Sequence, residues 1–82
     1  MVIIWDELKR LSNFAKPGLD FASLEADFDF ETTHITQSKD GRFKAVGMLN
    51  SSPVVVIFAT LGAEAISIVS LRPESRKERT IR

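Results

Sequence analysis

The chain has 82 residues, of which 11 are basic and 11 acidic, so its formal net charge is zero. A chain of this length predicts one domain, residues 1–82, which buries only roughly 60% of the surface that its unfolded chain exposes. Such a domain offers a groove or a partner surface rather than a deep pocket. With no cysteine and one histidine, a disulfide framework and the usual zinc sites within one chain are excluded. We expect neither a metal ion nor a cofactor.

The hydropathy of the chain predicts where in the cell the protein is found. No apolar run is long enough to span a bilayer, and Met1 leads almost directly into Trp5 and a charged helix rather than into a signal peptide. We therefore expect a soluble cytoplasmic protein that makes no membrane contact.

A strand and a helix open the chain. The apolar segment Val2–Trp5 predicts a strand that is buried on both sides. Asp6 can accept hydrogen bonds from the free amides of the first helical turn. Leu8, Leu11 and Phe14 follow at helical spacing, and this face of the helix is expected to lie in the core.

The first helix stops at the Pro-Gly turn formed by residues 17 and 18, and Asn13 is expected to brace this turn. A second, short helix begins at once. Asp20 is its predicted cap, and Phe21, Leu24 and Phe28 recur in it at i, i+3 and i+7.

Strands follow from residue 32 onward. The alternating, β-branched segment Thr32–Gln37 predicts the first of them, and Lys39-Asp40-Gly41 is a hairpin signal that leads to the second, Arg42–Leu49. Two more strands, bounded by turns at 50–53 and 62–63, are predicted over Val54–Thr60, which is apolar enough to be central, and Ala65–Leu71. Strands that are joined by such short turns are antiparallel.

The predicted fold is therefore α+β. We expect an antiparallel twisted sheet, made of the N-terminal strand and a four-strand meander, with two N-terminal helices and one C-terminal helix on one face. Pro73 suits the first turn of that last helix, which runs from Glu74 to about Ile81. The expected shared core consists of Trp5, Leu8, Leu11, Phe14, Phe21, Leu24, Phe28, Ile57, Ile66 and Ile68.

Charges are segregated along the chain. No basic residue lies between Lys16 and Lys39, whereas the tail from Arg72 onward is basic. The acidic stretch that includes Asp20, Asp27 and Asp29 predicts a surface for a basic partner, and the basic residues predict contact with an anion or a nucleic acid. Two ordinary solvated helix faces are the alternative.

The opening motif W-D-x-x-K-x-x-x-N-x-x-K-x-G-x-x-F, residues 5–21, resembles the signature of the BrnT-like ribonuclease toxins of bacterial toxin-antitoxin pairs. Segments 42–47, 66–72 and 76–79 are also similar to that family. The resemblance implies a RelE-like fold, cleavage of RNA, and a BrnA-like ribbon-helix-helix antitoxin through which a homo-oligomer could form. The chain departs from the signature at Pro17, where the family has His, and it has no tyrosine.

Metal-free RNA cleavage needs a proton acceptor, a proton donor and cations around the phosphate. Arg72, at the end of the last predicted strand, is the first cationic candidate, although it could equally cap the sheet edge by pairing with Glu74 or with an acidic residue of the second helix. His34 is the one side chain of a type that titrates near neutrality, although a lone strand histidine is more often structural. Lys16 could act as general base only where its surroundings favour the neutral amine.

Other basic residues are candidates for binding RNA. Arg42 and Lys44 occupy alternate positions of one predicted strand and face the same side, where they could also be an ordinary solvated pair. The RNA-binding candidates are Lys9, Arg42, Lys44, Arg76 and Arg79, and the candidates for binding the antitoxin are Asp20, Asp27 and Asp29.

Two functions are compatible with these residues. The retained cations favour an active ribonuclease toxin. The missing histidine and tyrosine favour a catalytically weakened homologue that only binds the antitoxin or itself.

Overall fold

The computed structural model describes residues 2–75. In chain order the elements are β1 (Val2–Trp5), α1 (Glu7–Ala15), α2 (Ser23–Asp27), a 3-10 turn (Phe30–Thr32), β2 (His34–Gln37), a 3-10 turn (Lys39–Gly41), β3 (Phe43–Leu49), β4 (Ser52–Leu61) and β5 (Ala65–Pro73). The strands form one five-stranded sheet in the order β1-β5-β4-β3-β2. This architecture confirms the α+β class, the meander and the central position of β4. Within residues 2–75, no helix is both long and apolar enough to cross a membrane.

The N-terminal strand differs from its prediction in direction and burial. β1 pairs with β5 in parallel, from Val2 beside Ala65 to Trp5 beside Ile68. The sheet is therefore mixed, because the short-turn argument applies only to strands that follow one another in the chain. β1 is also an edge strand, with Val2 57% exposed, so the prediction of a strand buried on both sides was wrong.

The main core cluster lies on one face of the sheet, under the segment that carries α2, whereas Val46 and Val55 are buried on the other face. Phe21, Leu24, Phe28, Ile66 and Ile68 are all buried in the main cluster, as predicted. Trp5 is half-buried against this cluster and makes an edge-to-face contact with Phe21. Ile57 is half-buried and lies outside the cluster.

The first helix is turned the opposite way from the prediction. Leu8, Leu11 and Phe14 are 76%, 52% and 53% exposed, so they do not belong to the core. The inward side of α1 instead carries the half-buried polar residues Arg10 and Asn13. Helical spacing showed which residues share a face, but not which face turns inward.

Several predicted boundaries also shift. Asp20 does not cap α2, which begins at Ser23; its carboxylate accepts a hydrogen bond from the Ala22 amide and closes the turn ahead of the helix. β5 continues to Pro73, which we had expected in the first turn of a helix. Residues 76–81 of that predicted C-terminal helix lie outside the described residues, and Glu74 and Ser75 are not helical.

A candidate nucleic-acid interface between α1 and β5

A groove of about 490 Å³ separates α1 from the end of β5. Its lining residues are Lys9, Ser12, Asn13, Lys16, Pro17, Val69, Ser70 and Arg72. Three of these residues are cationic, and three more carry a hydroxyl or an amide group. Among the residues that the structure describes, no carboxylate lines the groove. The groove is therefore suited to a phosphate or another anion.

Asn13 fixes the distance between the two walls of the groove. Its side-chain oxygen accepts a hydrogen bond from the Leu71 amide at 3.1 Å, and its amide nitrogen donates to the Leu19 carbonyl at 2.9 Å. The Leu71 amide is open to this contact because β1 pairs with β5 only as far as Ile68. Asn13 thus braces the turn after α1, as predicted, and also ties α1 to β5.

Arg10 fixes the rotation of α1. Its guanidinium lies 2.7 Å from the Glu7 carboxylate and 3.1 Å from the Asp20 carboxylate. At the start of the helix, Asp6 accepts a hydrogen bond from the Leu8 amide at 2.8 Å, which confirms the predicted cap. With Arg10 held against the body of the protein, Lys9 and Lys16, two turns apart, face the groove together.

The positive charge of Arg10 is neutralised by two carboxylates. Hydrogen bonding to Arg10 lowers the pKa of Glu7. The Ala22 amide, and after it Arg10, lowers the pKa of Asp20. The two carboxylates in turn raise the pKa of Arg10. Arg10 is therefore committed to holding α1, and the positive charge of the groove comes from the residues that line it.

Arg72 lies on the sheet face opposite the core. It is paired with Val55 of β4, whereas its neighbour Leu71 is fully buried beside Val56 on the core face. Alternation along β5 puts Ser70 on the same side as Arg72. Both residues line the groove, so the end of β5 supplies one wall and α1 supplies the other.

His34 lies at the far side of the same sheet face. The cross-strand pairs place His34, Val46, Val55 and Arg72 in one row across four strands. Three interstrand spacings amount to about 14 Å. His34 instead lines a second groove of about 530 Å³ with Asp27, Asp29 and Thr32. The structure therefore brings Lys9, Lys16 and Arg72 together, but not His34.

The strand register places one of the remaining candidates, Lys44, on this sheet face. Lys44 pairs with Ile57, which pairs with Ser70 of the groove, so Lys44 lies on the same face about 10 Å away. Arg42 directly precedes β3. Arg76 and Arg79 lie outside the described residues. Within residues 2–75, no group of three or more His, Cys, Asp or Glu residues is placed to hold a metal ion.

Sequence reasoning missed Ser12 and Ser70 as groove residues. A signal for Ser70 was present, because it stands two positions before Arg72 on a predicted strand and so shares its face. Ser12 had no comparable signal, because its place depends on how α1 is rotated.

The fold and the groove define a small mixed-sheet α+β protein with a cation-lined groove suited to an anionic ligand. Residues 5–78 match the family described as "Ribonuclease toxin, BrnT, of type II toxin-antitoxin system". The crystal structure of the Brucella abortus ribonuclease toxin BrnT is 42% identical, with a TM-score of 0.80, over 93% of this chain and 99% of that chain. No curated protein matches the chain. The chain belongs to the BrnT family of ribonuclease toxins of type II toxin-antitoxin systems.

Proposed function

We propose that the chain is a cytoplasmic endoribonuclease toxin that cleaves RNA in the groove between α1 and β5. The observation that carries this proposal is the convergence of Lys9, Lys16 and Arg72 on one groove of a ribonuclease-toxin fold. The unit of activity is the single domain formed by residues 1–82, and we expect its fold to be grouped with the RelE-like toxins.

The proposed reaction is a metal-independent attack of the ribose 2′-hydroxyl on the adjacent phosphorus. The new bond joins the 2′-oxygen to phosphorus, and the bond to the 5′-oxygen breaks, which leaves a cyclic 2′,3′-phosphate and a 5′-hydroxyl. Negative charge grows on the non-bridging oxygens in the transition state. Arg72, with a planar guanidinium that can bond two oxygens at once, is the residue assigned to stabilise it.

Two protons must move in this reaction. Lys16 is assigned to accept the proton of the 2′-hydroxyl, because it shares the groove with Arg72. Lys9, the other amine that lines the groove, is assigned to donate a proton to the leaving 5′-oxygen. His34 is the alternative acceptor, and its distance from Arg72 along the sheet makes it the second choice.

The RNA strand extends beyond the groove in this proposal. Lys44 lies on the same sheet face as Ser70 and Arg72, so it continues the cationic surface toward β3, with Arg42 beyond it. Arg76 and Arg79 follow β5 in the chain and complete the proposed RNA contacts.

The proposed partner is a BrnA-like ribbon-helix-helix antitoxin that keeps the toxin inactive and through which a homo-oligomer assembles. A basic segment of the antitoxin is expected to contact Asp27 and Asp29, which line the second groove. Asp20 contributes less, because its carboxylate is already bonded to Arg10 and to the Ala22 amide.

The experiment is cleavage of a fluorescent RNA by the purified chain, with growth arrest on induction as a second readout. Arg72→Ala should lower the cleavage rate about a hundredfold, because one group aimed at the developing charge contributes on the order of 3 kcal/mol. Lys39→Gln, in the exposed turn before β3, is the matched loss of one positive charge and should leave the rate unchanged. An equal loss in both variants, or none in Arg72→Ala, contradicts the assignment.

One observation favours the second candidate function, a weakened homologue that only binds. Pro17, which replaces the histidine of the resembled signature, lines the groove beside Lys16. If that replacement removed catalysis, the unmodified chain should not cleave RNA and Pro17→His should gain cleavage. Full activity of the unmodified chain excludes this function.

A further inference from the structure

Helix α1 exposes its apolar side and turns its half-buried polar side toward the rest of the protein. Leu8, Leu11 and Phe14, which we call the apolar stripe, lie at i, i+3 and i+6 and are each more than half exposed. No residue of α1 is buried. Contiguous apolar side chains on a protein surface are typical of contact sites with another molecule.

The orientation of the apolar stripe is fixed by contacts on the other side of the helix. Arg10 reaches Asp20 and Asn13 reaches the Leu71 amide. A rotation that buried the stripe would break both contacts. Among residues 2–75, the stripe is therefore held on the outer surface.

The apolar stripe runs directly beside the cationic groove. At 100° per residue, the stripe covers an arc of about 120°, and Ser12, Lys16 and Lys9 occupy the next arc on one side. All three of these residues line the groove. A molecule that covers the stripe therefore reaches the mouth of the groove.

The charges beside the stripe select the kind of partner. Lys9, Lys16 and Arg72 favour a segment with carboxylates along the edge of its apolar face. A second copy of this chain, packed with its α1 antiparallel against the first, would set Lys9 and Lys16 against the same cations. Charge complementarity thus favours a different chain over self-association.

We propose that the apolar stripe is the docking surface for an amphipathic segment of the antitoxin, whose flanking carboxylates enter the groove between α1 and β5. This inference rests on the proposed function in one respect, since it takes the partner to be the cognate antitoxin. Because the carboxylates occupy the place of the RNA phosphate, antitoxin and RNA exclude each other. Asp27 and Asp29, in the second groove, would contact a separate, basic segment.

The experiment measures binding of the full chain to its purified cognate antitoxin by calorimetry. Leu11→Gln and Phe14→Gln remove apolar area without disturbing a buried residue, and each should weaken binding on the order of tenfold or more. Leu61→Gln, on a side chain that is 47% exposed at the end of β4, is the matched control and should bind like the unmodified chain. Lys9→Gln should make the dependence of the dissociation constant on salt shallower.

Each outcome decides the proposal. Weakened binding in the stripe variants, with an unchanged Leu61→Gln control, supports it. Normal binding by both stripe variants overturns the docking surface and leaves the toxin-antitoxin function standing. No binding by the unmodified chain overturns both. A change of oligomeric state in the stripe variants, with unchanged antitoxin affinity, assigns the stripe to a second copy and overturns the proposal.

Discussion

The side-chain oxygen of Asn13 accepts the Leu71 backbone amide at 3.1 Å, across 58 positions of sequence. A helix side chain here takes the place that a neighbouring strand would occupy at the edge of β5. The wall of the candidate site formed by α1 therefore depends on this amide side chain, together with the contact of Arg10 with Asp20.

Asn13→Ala should destabilise the protein by about 1–3 kcal/mol, because the part-buried Leu71 amide and Leu19 carbonyl lose their partners. Asn13→Asp should lose less stability, because a carboxylate still accepts a hydrogen bond from the Leu71 amide but cannot donate one to the Leu19 carbonyl. Urea unfolding of the three proteins measures this order. Equal stability of Asn13→Ala and the unmodified chain would show that the contact is dispensable.

Stability should fall as the pH drops below about 4. The pKa of Asp20 is lowered by the Ala22 amide and by Arg10 from its ordinary value of 3.8. A carboxylate with a lowered pKa stabilises the fold above its unfolded value, and this contribution is lost as the pH falls through the folded value. Asp20→Asn should therefore show a smaller difference between urea midpoints at pH 7 and pH 3. Asp40→Asn, in an exposed turn, is the control for removing one negative charge.

Gly47→Ala should destabilise the fold by about 1–3 kcal/mol through overpacking. A Cβ at this position would lie 2.6 Å from Cγ2 of Thr33 and 3.2 Å from the Phe28 ring. The second change Thr33→Ser removes that methyl group and should recover part of the loss, which a double-mutant cycle in urea can measure. No recovery would mean that the Phe28 ring, rather than Thr33, limits the space.

Lys44→Gln should weaken RNA binding at low salt and make its salt dependence shallower. For a single strand, the loss of one phosphate contact reduces the slope of log affinity against log salt by about 0.7. Fluorescence anisotropy with a short RNA over a salt series gives this slope, with Lys39→Gln as the control of equal charge. An unchanged slope would remove Lys44 from the proposed RNA path.

Asp27→Lys should slow association with the antitoxin at low salt, since opposite charges accelerate encounter more than they add affinity. Glu64→Lys, in the turn between β4 and β5, is the matched charge reversal away from the second groove. Stopped-flow association rates at two salt concentrations separate the two variants. Identical rates would identify the acidic stretch as an ordinary solvated face.

The meander could be predicted from sequence because its strands are joined by short turns, so that neighbours in the chain are neighbours in the sheet. The pairing of Val2 with Ala65 could not be predicted from sequence, because it links positions that are far apart in the chain. The rotation of α1 was missed for a similar reason. It depends on Arg10 and Asn13 meeting Asp20 and Leu71, and periodicity says nothing about such partners.

The residues of the candidate site could likewise be predicted only in part. The opening motif predicted Lys9 and Lys16, and the end of the last strand predicted Arg72, but only the register across β2 to β5 separates His34 from them. Strand positions give the face on which a residue lies, whereas strand order gives its distance from the others.

The outward position of Leu8, Leu11 and Phe14 also bears on how this toxin can diversify. Because these side chains are each more than half exposed, substitutions there change the proposed docking surface at small cost in stability. In a cell with several related toxin-antitoxin pairs, substitution of a few residues of this helix could therefore restrict each toxin to its own antitoxin. The sheet and the cation-lined groove would remain unchanged.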